Sequence, residues 1–324
     1  MSNSLASIKE PVKEELKLFE ERFKEAMKTK VPLLDKITYY IVQRKGKQIR
    51  PLLAFLCAKA CGGVTDKSYV AASLVELLHT ATLVHDDVVD DSYERRSFFS
   101  INALWKNKIA VIVGDYLLSQ GLLVALKNDG TRLLEIMSRA IQDMAEGELL
   151  QLEKARRLDI KEPVYYDIIR QKTASLIAAT CCVGCASTTE DEEMIETMWR
   201  FGELIGIAYQ IRDDLFDYGT ADVGKPLGID IKEKKMTLPL IYALNHATRS
   251  ERRRIINIIK RYSHKKEKVQ EVIDFVHGSG GLEYAREAML RYRGEAFEVL
   301  DTLPDSPARQ SIKALVTFVT EREK

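Results

Sequence analysis

The sequence predicts an all-α protein. Apolar residues recur at intervals of three and four, Gly (17) and Pro (8) are few among 324 residues, and no convincing segment alternates polar with apolar residues. The helical pattern predicts helices in these segments: 14–42, 68–89, 103–127, 131–153, 164–186, 191–217, 236–262, 267–277, 281–302 and 307–321.

The breaks between these segments are short and contain Gly, Pro or Asn, for example 62–63, 128–130 and 304–307. None resembles an interdomain linker, so we expect one all-α domain over residues 1–324. Helices that are apolar on nearly every side, such as 68–89, belong in its interior, with amphipathic helices around them. The long segment 218–235 is a loop of a length that is more often functional than not.

Composition excludes some classes of function. Lys and Arg (49) balance Asp and Glu (48), which gives no support for nucleic-acid binding. The N-terminal sequence resembles neither a signal nor a transit peptide, and no apolar run reaches about 18 residues, so we expect a cytoplasmic protein without a membrane span. The odd number of cysteines, five, predicts reduced thiols. Cys182 and Cys185 have redox-motif spacing, but their small, apolar surroundings favour simple packing.

The most distinctive feature is an acidic pattern that occurs twice, at 86–90 (DDVVD) and 213–217 (DDLFD). Residues four apart lie on one helix face, so each pattern brings two carboxylates together. Like charges at this spacing destabilise a helix, and we expect a cation to offset the repulsion. Carboxylates without His or Cys favour a hard cation such as Mg²⁺, which also binds substrate phosphates. The two patterns therefore predict a site that holds a diphosphate through several metal ions.

Basic residues flank the first acidic pattern. Arg95 and Arg96 follow it and are suited to bind phosphate oxygens, although a charged helix terminus would have the same sequence. The upstream segment 45–51 (KGKQIRP) contains Lys47 and Arg50 just before an apolar helix. Alone, this segment would be interpreted as a solvated turn.

One histidine also accompanies the first pattern. His79 precedes Asp86 by seven residues, or two helical turns, and so lies on nearly the same face. A single His in a core helix is usually a packed residue, but this alignment with the carboxylates favours a functional role.

Taken together, these motifs resemble the trans-isoprenyl diphosphate synthases (polyprenyl synthetases), in the order found in that family and over nearly the whole chain. The matching segments are 86–90 with Arg95-Arg96, 114–118 (GDYLL), 172–174 (KTA), 210–217 (QIRDDLFD), 224–230 (GKPLGID) and 235–239 (KMTLP). The chain departs from the family at four positions. Gln48 replaces an Arg, and Lys45, Ser97 and Lys234 replace Gly, which leaves open whether Lys234 or Lys235 binds the diphosphate.

The resemblance implies an isoprenoid-synthase helical bundle with a deep cavity, in which an allylic diphosphate is joined head to tail to isopentenyl diphosphate. Several Mg²⁺ ions, about three with diphosphate bound, would be held directly by Asp86, Asp90 and Asp213 and through water by Asp87 and Asp217. The allylic diphosphate would be bound by Arg95, Lys172, Lys225 and Lys235. Isopentenyl diphosphate would be bound by Lys47, Arg50, His79 and Arg96. Lys172, Thr173 and Gln210 are the catalytic residues that the resemblance implies, and the oxygens of Thr173 and Gln210, with backbone carbonyls, would stabilise the allylic cation.

The resemblance also bears on product length. The growing tail is expected to run back from Asp86 along its own helix, where one turn of ~5.4 Å approximates one isoprene unit. Ala81 and Thr82, one turn back, are small, and Leu78 blocks little of the next turn. We therefore expect a medium or long product from a farnesyl or geranylgeranyl primer, roughly C30 to C50 with a central value of about C40. The chain would be used for a quinone or another carrier, and the resemblance implies a homodimer.

Four alternatives are considered. The first is a short-chain synthase making farnesyl or geranylgeranyl diphosphate. A class I terpene cyclase would lack the second Asp-rich motif and the isopentenyl diphosphate residues, and a non-catalytic partner subunit would not need intact metal motifs. A helical scaffold with solvated acidic faces would not explain two matching clusters within apolar helices.

Overall fold

The chain folds almost entirely into α-helices, which confirms the predicted all-α class. The computed structural model describes residues 4–44, 46–95, 98–155, 158, 160–219 and 227–321. Within that part of the chain, β structure is limited to a hairpin of strands β1 (Glu94–Arg95) and β2 (Phe98–Phe99). The helices are α1 (Leu5–Lys9), α2 (Lys13–Ala26), α3 (Pro32–Gln43), α4 (Ile49–Cys61), α5 (Asp66–Val89), α6 (Ile101–Leu126), α7 (Thr131–Ala155), α8 (Glu162–Ile169), α9 (Ser175–Ala186), α10 (Glu192–Phe216), α11 (Ile229–Lys232), α12 (Leu238–His246), α13 (Arg249–Arg261), α14 (Lys266–His277), α15 (Gly281–Leu300) and α16 (Pro307–Glu321).

Three of the predicted helices are each divided in two, and one of them, 164–186, forms α8 and α9 on either side of a π-helical turn, Arg170–Ala174. The segment 14–42 forms α2 and α3, because Pro32 starts a new helix at its first turn, where a missing N–H costs nothing. The segment 236–262 forms α12 and α13, which Thr248 separates. Thr248 and Glu251 form a capping box, in which each side chain accepts a hydrogen bond from the other's backbone N–H. The apolar periodicity does not show these breaks, which depend on the single residues Pro32 and Thr248.

The chain is divided into two compact units. The first unit contains Met1–Arg139, Ala179–Trp199 and Leu303–Ala314, and the second contains Ala140–Ala178, Arg200–Thr302 and Leu315–Lys324. The single-domain interpretation of residues 1–324 stays a prediction.

The first unit is organised around α5, which packs along α6. Their contact depends on Gly114, because a Cβ there would lie 2.1 Å from Nε2 of His85. The His85 ring also contacts the carbonyl oxygen of Val111 at 3.2 Å and Asp115 Oδ1 at 3.5 Å. These contacts hold the end of α5, where the first acidic motif begins, against α6.

Helix α6 combines an apolar composition with an exposed face. It is long and apolar enough to cross a membrane, and a third of its most apolar window is buried. Core helices of water-soluble proteins can have the same length and composition, so this feature is weak support for a membrane span, which was not predicted from the sequence. Lys106 interrupts the helix with φ 71° and ψ 158°, a conformation that only Gly adopts without strain.

The second unit has a core of aliphatic side chains from α8, α10 and α12–α15. Fully buried Tyr218 follows α10, and its hydroxyl lies 2.6 Å from Thr237 Oγ1, just before α12. His277 Nε2 lies 2.8 Å from the Tyr218 carbonyl oxygen. These contacts fix Tyr218, the residue directly after the second acidic motif.

All five cysteines, each within the described part of the chain, are free thiols. Cys57, Cys181, Cys182 and Cys185 are buried and Cys61 is partly buried. Cys57 and Cys61 of α4 interact with Cys181 and Cys185 of α9, where Gly184 approaches the carbonyl oxygen of Ala54. Burial raises the pKa of the Cys182 thiol to about 12. This setting agrees with the packing role predicted for Cys182 and Cys185.

Candidate active site

The first acidic motif lies at the C-terminal end of α5. Asp86 is half-buried, Asp87 is only 4% exposed, and Asp90 is the exposed C-cap, whose N–H donates to the Asp86 carbonyl at 2.8 Å. The Asp87 carbonyl accepts from Ser92 N–H at 2.9 Å and from Asn102 Nδ2 at 3.0 Å. The helix dipole places partial negative charge at this end, so carboxylates here are unfavourable unless a cation is bound.

A cavity of about 120 Å³ in the first unit lies beside this motif. It is lined by His79 and Asp87 from α5 and by Gln48 from the N-cap of α4. Lys47 is exposed next to Gln48, and Arg50 is partly buried in the first turn of α4. The structure thus brings His79 and Asp87 to the same cavity, at the segment that contains Lys47 and Arg50.

The hairpin β1–β2 borders the same cavity through Phe98 and Phe99. The Tyr40 hydroxyl donates to the Phe99 carbonyl at 2.7 Å, and the Arg44 guanidinium lies over the Phe98 ring, 3.8 Å from its centroid. The backbone of Arg95 belongs to β1. Its side chain and the whole of Arg96 lie outside the described part of the chain, so their predicted roles stay predictions.

The second acidic motif, in the other unit, lies at the end of α10 beside a cavity of about 190 Å³. Asp213 is exposed and lines this cavity, whereas Asp214 is buried. Asp214 accepts hydrogen bonds from Tyr165 at 2.7 Å and from Gln210 Nε2 at 2.9 Å. Burial raises the pKa of Asp214 to about 7, against the lowering effect of these two bonds.

Asp217 has a structural role that sequence reasoning missed. Its two carboxylate oxygens accept from the N–H groups of Ile229 at 2.7 Å and Asp230 at 3.1 Å, at the start of α11. Burial raises its pKa, and these backbone hydrogen bonds oppose the rise. Binding of metal through water by Asp217 stays a prediction.

Thr173 and Gln210 meet in this cavity, as the family resemblance requires. The Thr173 hydroxyl donates to Oε1 of Gln210 at 2.8 Å. Thr173 and Lys172 lie in a π-helical turn, Arg170–Ala174, between α8 and α9, an irregularity that is frequent at functional sites. Gly206 of α10 packs directly on this turn, because a Cβ there would lie 2.5 Å from Ala174 Cα.

Two lysines line the same cavity. Lys172 pairs with Glu148, and Lys235 pairs with Glu233 at 2.5 Å and Asp230 at 3.7 Å. Burial raises the pKa of Asp230 to about 6, while the charge of Lys235 opposes the rise.

The choice between Lys234 and Lys235 now has a geometric basis. Lys234 has φ 60°, a left-handed conformation that Gly adopts most readily, and its side chain is exposed. Lys235, not Lys234, lines the cavity. Lys225 lies outside the described part of the chain, and its role stays a prediction.

The residues predicted to set product length are in the middle of α5. Ala81 is fully buried, Leu78 is 2% exposed, and Thr82 is partly exposed and donates to the His79 carbonyl at 2.9 Å. The Leu78 side chain packs towards α6 at Gly121. Their proposed role in limiting the tail stays a prediction.

Sequence reasoning did not assign Tyr165, Asp214, Glu148 or Asp230, which line the second cavity or pair with its lysines. Asp214 could have been found, since it lies four residues after Gln210 on a helix. Tyr165 and Glu148 are distant in sequence from both acidic patterns, and no local pattern distinguishes them.

Comparison with known proteins identifies the family. Residues 31–276 match the model of the polyprenyl synthetase family. The octaprenyl diphosphate synthase of Escherichia coli (strain K12) is 35% identical over 304 residues, 93% of each chain. A short chain isoprenyl diphosphate synthase of Methanothermobacter thermautotrophicus is 33% identical over 94% of this chain and 95% of its own.

The fold agrees with these sequence matches. The crystal structure of a decaprenyl diphosphate synthase from Rhodobacter capsulatus superimposes with a TM-score of 0.93 at 34% identity, covering 99% of this chain and 100% of that one. The resemblance drawn from the motifs is therefore confirmed, and the chain belongs to the polyprenyl synthetase family of prenyl-transferring enzymes.

Proposed function

We propose that this enzyme condenses an allylic diphosphate with isopentenyl diphosphate, head to tail, and repeats the step to a medium or long all-trans polyprenyl diphosphate. The observation that carries the proposal is the composition of the second cavity. Thr173 and Gln210, whose oxygens can stabilise a cation, line the same cavity as Lys172 and Lys235, which suit a diphosphate, and Asp213, which suits a metal ion bound to that diphosphate. An electron-poor centre and a departing anion need these two kinds of group close together.

In this proposal the C1–O bond of the allylic diphosphate breaks, and its electrons leave with the diphosphate. The double bond of isopentenyl diphosphate attacks the resulting cation, and the proton lost from C2 goes to the departed diphosphate. Lys172 and Lys235 stabilise the charge that builds on the leaving group, and the oxygens of Thr173 and Gln210 stabilise the cation. No enzyme nucleophile is required.

Isopentenyl diphosphate is assigned to the cavity of the first unit. His79 lines it, and Lys47 and Arg50 lie within two residues of Gln48, which also lines it. Arg96, which the family resemblance assigns to the same diphosphate, lies outside the described part of the chain. This diphosphate stays on the substrate and needs only positioning, which such side chains can provide without metal.

The donor set suits Mg²⁺. Asp86, Asp90 and Asp213 are at least partly accessible carboxylates, and no group of three His, Cys, Asp or Glu among the described residues is arranged to hold a metal alone. This fits an ion that takes one or two carboxylates and completes its shell with water and diphosphate oxygens. When bound, Mg²⁺ would neutralise charge on the allylic diphosphate.

Conservative substitution of the acidic motifs tests the assignment. We expect Asp213→Asn and Asp86→Asn to lower turnover by about 10²-fold or more, because transition-state charge loses its counter-ion. Asp129→Asn is the control, since Asp129 lies in a turn with φ 50°, which Asn also accepts. Near-normal Mg²⁺-dependent turnover in either motif variant would contradict the assignment.

For product length, the small side chains of Ala81 and Thr82, about one turn (~5.4 Å) before Asp86, support a medium or long product of roughly C30 to C50, because neither is a bulky aromatic residue that would block a growing tail. Ala81→Phe should shorten the product to about three or four units, with Ser73→Ala, further along α5, as a control. Chromatography of the products measures this, and an unchanged product ladder would show that the tail takes another route.

The exposed face of α6 supports the proposed homodimer. Val111, Ile112, Leu122, Leu123 and Leu126 are each 42–57% exposed, which makes an apolar stripe unusual for a monomer's surface. A second copy would cover this stripe in a symmetric contact. Light scattering of Ile112→Glu should show dissociation, and an unchanged mass would exclude this face.

A further inference from the structure

A continuous chain of hydrogen bonds ends at the residues assigned to the allylic cation. The Tyr165 hydroxyl donates to Oδ2 of Asp214 at 2.7 Å, and Nε2 of Gln210 donates to Oδ1 of Asp214 at 2.9 Å. The Thr173 hydroxyl donates to Oε1 of Gln210 at 2.8 Å. All four residues belong to the second unit and line its cavity.

The direction of each hydrogen bond determines whether Gln210 and Thr173 present acceptor oxygens or donor groups to the cavity. When ionised, Asp214 only accepts hydrogen bonds, so it holds the NH₂ end of the Gln210 amide and leaves the amide carbonyl oxygen towards Thr173. That oxygen receives the Thr173 hydroxyl hydrogen, which leaves the lone pairs of Thr173 Oγ1 available. If the amide rotated by 180°, N–H groups would replace the carbonyl oxygen and would repel a cation.

Asp214 can keep the amide in place only if its own side chain is fixed. Tyr165 is buried, and its hydroxyl occupies the carboxylate oxygen that Gln210 does not use. The ring of Tyr165 is itself held edge-on by Tyr166, with centroids 5.4 Å apart. Tyr165 is thus the buried, rigid end of the chain.

We propose that Tyr165 is a positioning residue, which acts through Asp214 to keep the Gln210 carbonyl and the Thr173 hydroxyl oxygen oriented as acceptors for the allylic cation. This inference rests on the proposed function and adds a residue that acts through Asp214 and Gln210 rather than directly on the cation. It predicts that the Tyr165 hydroxyl affects the chemical step more than substrate binding.

The test is Tyr165→Phe, which removes one oxygen and keeps the buried ring. We expect the single-turnover rate of the first condensation to fall roughly tenfold to a hundredfold, the effect of losing a buried hydrogen bond to a charged group. The affinity for isopentenyl diphosphate and the KM for the allylic diphosphate should change by less than about threefold, since the diphosphate-binding side chains are retained.

The neighbouring Tyr166→Phe is a matched control. It makes the same chemical change one residue later in α8, and the Tyr166 hydroxyl has no hydrogen-bond partner among the described residues. Its single-turnover rate should stay within about twofold of wild type, since no bond is lost. Equal losses in the two variants would overturn the proposal.

A double-mutant cycle distinguishes positioning from a general structural effect. In a Gln210→Ala background the amide that Tyr165 orients is gone, so adding Tyr165→Phe should lower the rate by less than about twofold. If the hydroxyl only maintains the fold, the second substitution would lower the rate by the same factor as in wild type, which would overturn the proposal.

Failure of the proposed function would look different. In that case the wild-type protein itself would not join the two diphosphates. Where wild type turns over and Tyr165→Phe retains its full rate, the positioning role alone is refuted.

Discussion

Replacing Gly206 by Ala should damage both stability and turnover, because α10 approaches the π-helical turn with no space for a side chain. The new Cβ would lie 2.5 Å from Ala174 Cα and 2.7 Å from its Cβ. Ordinary carbon contacts are ~3.5–4 Å, so about 1 Å of separation is needed. The obstructing atoms include backbone, which cannot rotate away.

The expected change in the free energy of unfolding of Gly206→Ala is the sum of two opposing effects. Gly→Ala within a helix normally raises the free energy of unfolding by about 1 kcal/mol, whereas overpacking costs ~1–3 kcal/mol, or more against backbone. We expect a net loss of about 1–2 kcal/mol in urea unfolding. Because the displaced turn carries Lys172 and Thr173, a shift of ~1 Å should also lower turnover by about 10²-fold.

Gly294→Ala is the matched control. Gly294 also lies within a helix, α15, but nothing lies within 4 Å of its added Cβ. The same substitution should therefore raise the free energy of unfolding by about 0.5–1 kcal/mol and leave turnover unchanged. The reasoning would be refuted if Gly206→Ala were as stable and as active as Gly294→Ala.

Three further predictions concern other parts of the chain. The pKa of Asp214 is raised from 3.8 to about 7. Between these pH values the metal-free native state keeps a proton that the unfolded chain has lost. The free energy of unfolding should therefore fall by up to about 4 kcal/mol as the pH rises from 4 to 7. Asp214→Asn should flatten this dependence in urea unfolding, and an equally steep curve would contradict the assignment. Burial raises the pKa of Cys182 to about 12, so a thiol reagent at pH 8 should modify this residue only at the rate of unfolding. Mass spectrometry locates the modified cysteine, and rapid labelling of Cys182 in the native state would exclude the packing role. Lys106→Gly relieves a conformation that suits only Gly and should stabilise the protein by about 1 kcal/mol, whereas a loss of stability in urea would contradict the strained geometry.

Much of the helical fold could be predicted, since long helices such as α5 and α10 show their pattern over many turns. The break between α2 and α3 and the short α11 could not, because they depend on a single Pro and on the oxygens of Asp217. The polyprenyl synthetase membership was predictable because its acidic motifs are local sequence patterns. The π-helical turn at Thr173 has no such pattern.

Contacts within the candidate site could be predicted only between residues that are close in sequence. Gln210 and Asp214 are one helical turn apart, and their contact is implied by the sequence. Tyr165 is 49 residues from Asp214, and only tertiary packing shows that they are hydrogen-bonded. The left-handed φ of Lys234 is similarly invisible in the sequence, and it is what distinguishes Lys235 as the cavity lysine.

The central claim, repeated condensation of two diphosphates, is tested most directly with the purified protein, Mg²⁺, farnesyl diphosphate and labelled isopentenyl diphosphate. We predict label in a ladder of all-trans polyprenyl diphosphates that ends at roughly C30 to C50, and none when a chelator removes the metal. A cyclic hydrocarbon, or no incorporation of label until a second protein is added, would contradict the account.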